Sequence, residues 1–141
     1  MFRLKDAKFL LLAGGIFELI IAITHFIMPN ELKKDKVFAL LPAAHYDFVI
    51  LATVAIGLIM LVLCALSFYF VKNYTNTKQA AEVFALSQAL LWLGRGVLEV
   101  MFPVKVQLLF LSNPAIIILP MSLVISAIFF GSYYYSKRGS D

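Results

Sequence analysis

The chain has 141 residues, 62% of them hydrophobic and 14% charged, with a formal net charge of +4. Soluble domains run at roughly 45–50% apolar and about 25% charged residues, so this composition excludes an ordinary water-soluble enzyme and points to a membrane. The basic residues stand beside the ends of apolar stretches, as membrane topology alone requires, so the positive balance does not point to nucleic acid.

A spanning helix needs about 20 mostly apolar residues, and four such stretches with short connections are expected to use up the length, leaving a single domain over 1–141. The first helix is expected over 8–28, after Arg3, Lys5 and Lys8. It is read as a retained span and not as a secretory leader: it is long for one, carries Glu18 at its centre, and ends in Thr24, His25 and Phe26 where a leader would have small residues. Pro29-Asn30 is expected to end it as a turn. The connection that follows places Glu31, Lys33, Lys34, Asp35 and Lys36 ahead of Val37, Phe38, Leu40 and Leu41, a pattern for an interfacial turn or two of helix.

The second helix is expected over 42–71, opened by Pro42, whose missing N–H costs nothing in a first turn. A polar loop over 72–78 follows, then a third helix over 79–102 closed by Pro103. Val104 to Leu111 reads as an apolar link, and Asn113-Pro114 as the cap and first turn of a fourth helix over 114–135. That helix is expected to bend at Pro120 and to be anchored by Tyr133, Tyr134 and Tyr135. The single cysteine, Cys64, rules out an internal disulfide and a thiolate cluster and reads as a small core residue.

The expected fold is an all-α membrane protein, a left-handed up-down bundle of four transmembrane helices. Orientation follows from the basic residues. The end holding both termini and the loop after helix 2 has Arg3, Lys5, Lys8, Lys72, Lys78, Lys137 and Arg138, seven in all, against four (Lys33, Lys34, Lys36, Lys105) at the other end. Both termini are therefore expected to be cytoplasmic, in a plasma (inner) membrane, and the sequon Asn73-Tyr74-Thr75 carries no weight.

Ionisable residues inside a membrane are costly unless paired or hydrated, and so mark a functional site. Glu18 and His25, seven residues apart, share one face of helix 1. Gln88, Trp92, Arg95 and Glu99 share a face of helix 3, with Arg95 and Glu99 adjacent at i and i+4. Measured from Pro29, Pro42 and Pro103, the residues His25, His45 and Glu99 each fall about one turn inside the outer end, with Arg95 and then Glu18 deeper. Asp47, near His45, points away from the others.

Several chemistries fit this ladder. Glu18, Arg95 and Glu99 are the candidate catalytic groups, with Arg95 holding an anionic or carbonyl group and Glu18 handling a proton. His25, His45, Gln88 and Trp92 are candidate ligand contacts. His25 and His45 could take a haem iron axially, or with Glu99 form a metal site of two imidazoles and one carboxylate. The structural alternatives are an ion pair of Arg95 with Glu99, interfacial histidines bonded to backbone, and a packing role for Trp92. The cofactor is left open.

The glutamate of helix 1 beside Gly14-Gly15 resembles the small multidrug transporters. That family offers no counterpart for His25 or for Arg95 with Glu99, and the Glu-Arg helix motif of the glutathione-binding four-helix membrane enzymes is absent. The leading expectation is a polar pocket in the outer half that binds, and could convert, a small lipid-soluble or amphiphilic ligand. The alternatives are a small proton-coupled transporter and an accessory subunit of a larger complex. The expected partners are membrane lipid, such a ligand, and further copies or subunits.

Overall fold

In the computed structural model, described for residues 2–34, 38–103 and 114–138, the chain forms four long helices. These are α1 (Phe2–Leu32), α2 (Ala43–Lys72), α3 (Tyr74–Met101) and α4 (Ala115–Arg138), with a short 3-10 turn at Phe38–Leu40. Each is long and apolar enough to cross a membrane, making this a multi-pass membrane protein. Helices suit that setting because hydrocarbon offers no water to backbone groups, so each span must satisfy its own N–H and C=O groups.

The element boundaries depart from expectation at two places. Pro29 lies inside α1, which continues to Leu32, and the Lys33 N–H donates to the Pro29 carbonyl at 3.2 Å. Proline forgoes the bond to the carbonyl four residues back, here that of His25, and its ring crowds that carbonyl, costs most easily borne in a last turn. The expected polar loop over 72–78 contracts to a tight turn, with Asn73 alone separating α2 from α3. Asn73 donates to the Tyr69 carbonyl through both its backbone N–H, at 3.0 Å, and its side-chain amide, at 3.1 Å. Thr77, at the non-helical φ −122° and ψ 19°, donates its hydroxyl to the Asn73 carbonyl at 2.9 Å. These bonds serve the orphan groups of a helix end. Asp35, Lys36, Val37, the link Val104 to Leu111 and Asn113 lie outside the described residues.

Packing follows an up-down order. α1 packs closely against α2 and α4, α3 packs closely against α4, and α2 meets α3 only lightly. Gly15 lies against Ser67, and Gly57 against His25 and Phe26, so α1 and α2 run antiparallel. Ser132 of α4 donates to the Ala7 carbonyl of α1 at 2.8 Å, and Ser126 of α4 to the Ala89 carbonyl of α3 at 2.8 Å. With Gly14 against Phe129 and Gly96 against Leu119 and Ser122, both pairs are antiparallel, and the two termini lie at one end of the bundle.

Helices in lipid gain little from hiding apolar surface, so small residues that admit close approach carry the association. A Cβ at Gly14 would stand 2.5 Å from the Phe129 ring, whose side chain is fully buried. Gly14→Val should therefore lower stability by about 1–3 kcal/mol through overpacking. Gly94→Ala, where an added Cβ meets nothing within 4 Å, should leave it unchanged or slightly raised. Thermal unfolding of both variants in detergent checks this, and equal midpoints would refute the close α1–α4 contact.

Candidate functional site

The buried stripe of each helix carries polar groups into the bundle. On α1 it includes Leu11, Glu18 and Ala22; on α2, Thr53, Gly57, Met60, Cys64 and Ser67; on α3, Ala85, Gln88, Ala89, Trp92, Gly96 and Glu99. Glu18 has no exposure, and its Oε2 accepts a hydrogen bond from Ser67 Oγ at 3.1 Å. With α4 as a common ruler, the contacts of Gly14 with Phe129 and of Ala89 with Ser126 place Glu18 and Trp92 at one level, and Gln88 a turn nearer the termini.

Three atoms in this group are buried without a hydrogen-bond partner: Glu18 Oε1, Gln88 Oε1 and Trp92 Nε1. The Trp92 indole N–H stands beside the Glu18 carboxyl, close enough to interact with it. Buried polar groups normally find partners, and each one left without costs about 1–3 kcal/mol. Two acceptor oxygens and one N–H donor thus face the bundle interior with unused capacity.

Arg95 and Glu99 lie toward the opposite end from the termini. Arg95 Nη2 is 2.7 Å from Glu99 Oε2, the Glu99 side chain is 1% exposed and that of Arg95 36%. Arg95, placed by the sequence on one face with Gln88, Trp92 and Glu99, does not enter the interior with them. It sits instead at the edge, lining a shallow depression on the outward surface of α3 with Leu90, Leu91, Gly94 and Leu98. A long side chain can lay its stem along apolar surface and turn its head elsewhere, so the guanidinium reaches Glu99 from outside.

The histidines do not come together. His25 is half-buried where α1 meets Gly57 of α2, and its Nδ1 lies 2.8 Å from the Ile21 carbonyl of its own helix. His45 is exposed, in the first turn of α2. Because Gly57 marks the His25 level, His45, twelve residues earlier, stands about 18 Å further along the axis at 1.5 Å per residue. Proline was a poor depth marker: α2 begins at Ala43, about four turns beyond the His25 level at 3.6 residues per turn. Two axial ligands of one iron cannot be so far apart, and among the described residues no three His, Cys, Asp or Glu side chains are grouped to hold a metal ion. The sets His25 with His45, and His25, His45 and Glu99, are corrected accordingly. Asp47 is exposed as well.

Two polar features were not singled out from the sequence. Ser67 continues the α2 stripe of Thr53, Gly57, Met60 and Cys64 at helical spacing, and that periodicity is the signal that could have found it. At the termini end, Glu82 accepts from Ser136 Oγ at 2.7 Å and lies 2.9 Å from Lys137 Nζ and 3.9 Å from Lys78 Nζ, fastening α3 to α4. Its spacing to Lys78 is i, i+4; Ser136 and Lys137 are far off in sequence.

No protein-family model, curated protein or solved structure matches the chain, so its site is read from its own residues. The Glu18–Ser67 bond can be measured directly. Ser67→Ala should destabilise by about 1–3 kcal/mol, because it leaves a second carboxyl oxygen without a donor. In a Glu18→Leu background the same change should cost far less. Equal costs in both backgrounds, read by unfolding in detergent, would show that the bond contributes nothing.

Proposed function

We propose that this protein binds a small lipid-soluble or amphiphilic molecule. The ligand's polar head lies at Glu18, Gln88 and Trp92, and its apolar part extends toward lipid between α2 and α3. The carrying observation is the set of three buried atoms, Glu18 Oε1, Gln88 Oε1 and Trp92 Nε1, left without partners at the centre of a membrane bundle. Light packing of α2 on α3 supports a lateral path, since the other neighbouring helices are closely joined. Binding sites between the helices of bundles are a common arrangement.

In this reading Arg95 and Glu99 form an intramembrane ion pair that braces the outward half of α3, supported by their 2.7 Å separation. Glu18 is the group that would exchange a proton if the ligand is converted. Proton-coupled transport is the second reading, favoured by the same observation that a carboxyl is wholly buried at mid-bundle. We place both termini in the cytoplasm on the basic residues Lys5, Lys8, Lys72, Lys78, Lys137 and Arg138 at their end. Cysteine probes should then be labelled from outside at Lys34 and not at Thr75; the reverse would invert the orientation.

Trp92 is the only tryptophan, so its emission reports on the site alone. In bicelles, ω-bromo alkyl probes with neutral polar heads should quench Trp92 saturably, for at least one head group, and Glu18→Leu should shift that saturation. Quenching that rises linearly with every probe, as for collisions in lipid, would overturn the binding reading.

A further inference from the structure

We propose that the outward face of α3 carries a second site, independent of the interior one: a seat for one phospholipid of the leaflet opposite the termini. Arg95 holds its phosphodiester, and one acyl chain lies over Gly94. The observation behind this is an arginine that has a counter-ion and yet remains partly uncovered. Arg95 Nη2 meets Glu99 Oε2 at 2.7 Å, but a guanidinium carries five N–H groups in a planar fork, and the Arg95 side chain is still 36% exposed. It lines the shallow depression with Leu90, Leu91, Gly94, Val97 and Leu98. In a membrane that face meets hydrocarbon, where uncovered N–H donors are costly until an acceptor reaches them.

Depth and shape select the acceptor. Glu99 stands about 3 Å along the axis from the end of α3 at Met101, at 1.5 Å per residue, so a guanidinium drawn to it lies close to the outward end of the span. Lipid head groups border the hydrocarbon at that level, and a guanidinium pairs with a phosphate through two parallel N–H bonds. Leu91 and Leu90 continue the depression toward mid-membrane. Between them and Arg95 a Cβ at Gly94 would meet nothing within 4 Å, so the helix surface is notched where a chain descending from the head group passes. A second copy suits this face less well. Copies inserted the same way meet about a two-fold axis, which sets Arg95 against Arg95, while both carboxylates of α3, Glu82 and Glu99, are buried.

The test releases the full-length protein from nanodiscs of equal parts phosphatidylcholine and monogalactosyl diacylglycerol with the same acyl chains, and counts retained lipid by native mass spectrometry. The galactolipid supplies the chains and hydroxyls without a phosphate. One phosphatidylcholine should be retained about tenfold over the galactolipid, a difference of about 1.4 kcal/mol. Gly94→Phe fills the notch without touching the ion pair and should release most of that lipid. Arg95→Gln combined with Glu99→Gln, which strands no buried charge, should leave the retained lipid without a head-group preference. Lys5→Gln with Lys72→Gln, at the opposite end, should leave both retention and preference as they are. Equal retention of the two lipids by the parent protein overturns the proposal, as does a preference that survives the Gly94 and Arg95 changes or is lost with the two lysines. A lipid-free protein dimer that Gly94→Phe dissociates gives the face to a second copy and overturns it as well.

Discussion

How closely α1 lets its neighbours approach governs the rest of this bundle. In hydrocarbon, helices are held by contact packing and by a few interhelical hydrogen bonds. α1 carries glycine at the two consecutive positions where it meets both neighbours. Gly14 receives the ring of Phe129 from α4, and Gly15 receives Ser67 and Phe68 from α2. One turn further along α1, Glu18 is consequently enclosed on both sides and comes within bonding distance of Ser67. The serine bonds from α4 to Ala7 and Ala89 complete the chain of contacts α2, α1, α4, α3.

That chain of contacts does not close equally on itself. α2 and α3 are covalently neighbours through Asn73, and Phe70 meets Phe84 with ring centroids 5.1 Å apart near that turn, yet their mutual packing is light. The buried stripe of α2 is made of small residues apart from Met60, and its remaining surface is broad and apolar, including Leu58, Leu61, Val62 and Leu66. Such a surface is as well satisfied by lipid as by another helix. A polar interior walled tightly on three sides and weakly on the fourth is what a lipid-borne ligand would require.

Much of the architecture was legible in the sequence because its cause is local. Four apolar stretches of spanning length mark four helices, and Pro42 marks the start of α2 correctly. Buried stripes on α1 and α3 followed from 3.6-residue periodicity, which put Glu18, Gln88, Trp92 and Glu99 on inward faces where the structure has them. Depth was another matter. It depends on how one helix slides along another, and that is set by which glycine receives which side chain. Gly57 opposite His25 leaves His45 beyond the end of the shared interface, and no proline spacing records that. Ser67 went unnoticed because a serine in an apolar run is common; its role appears only once Glu18 is seen opposite. The edge position of Arg95, in the same surface depression as Gly94, is likewise a property of the assembled helices.

A lipid-borne ligand would reach the Glu18 level through the lightly packed seam between α2 and α3. Nitroxide labels on Leu58 of α2 and Val97 of α3, both exposed, would report the separation of the two helices by pulsed dipolar spectroscopy, with Cys64 replaced by alanine. A control pair on Val97 and Ile117 spans the closely packed α3–α4 interface. Such a path requires a distance distribution for Leu58 with Val97 distinctly broader than the control, narrowing when a saturating alkyl probe is bound. A distribution as narrow as the control, and indifferent to the added probe, would contradict it.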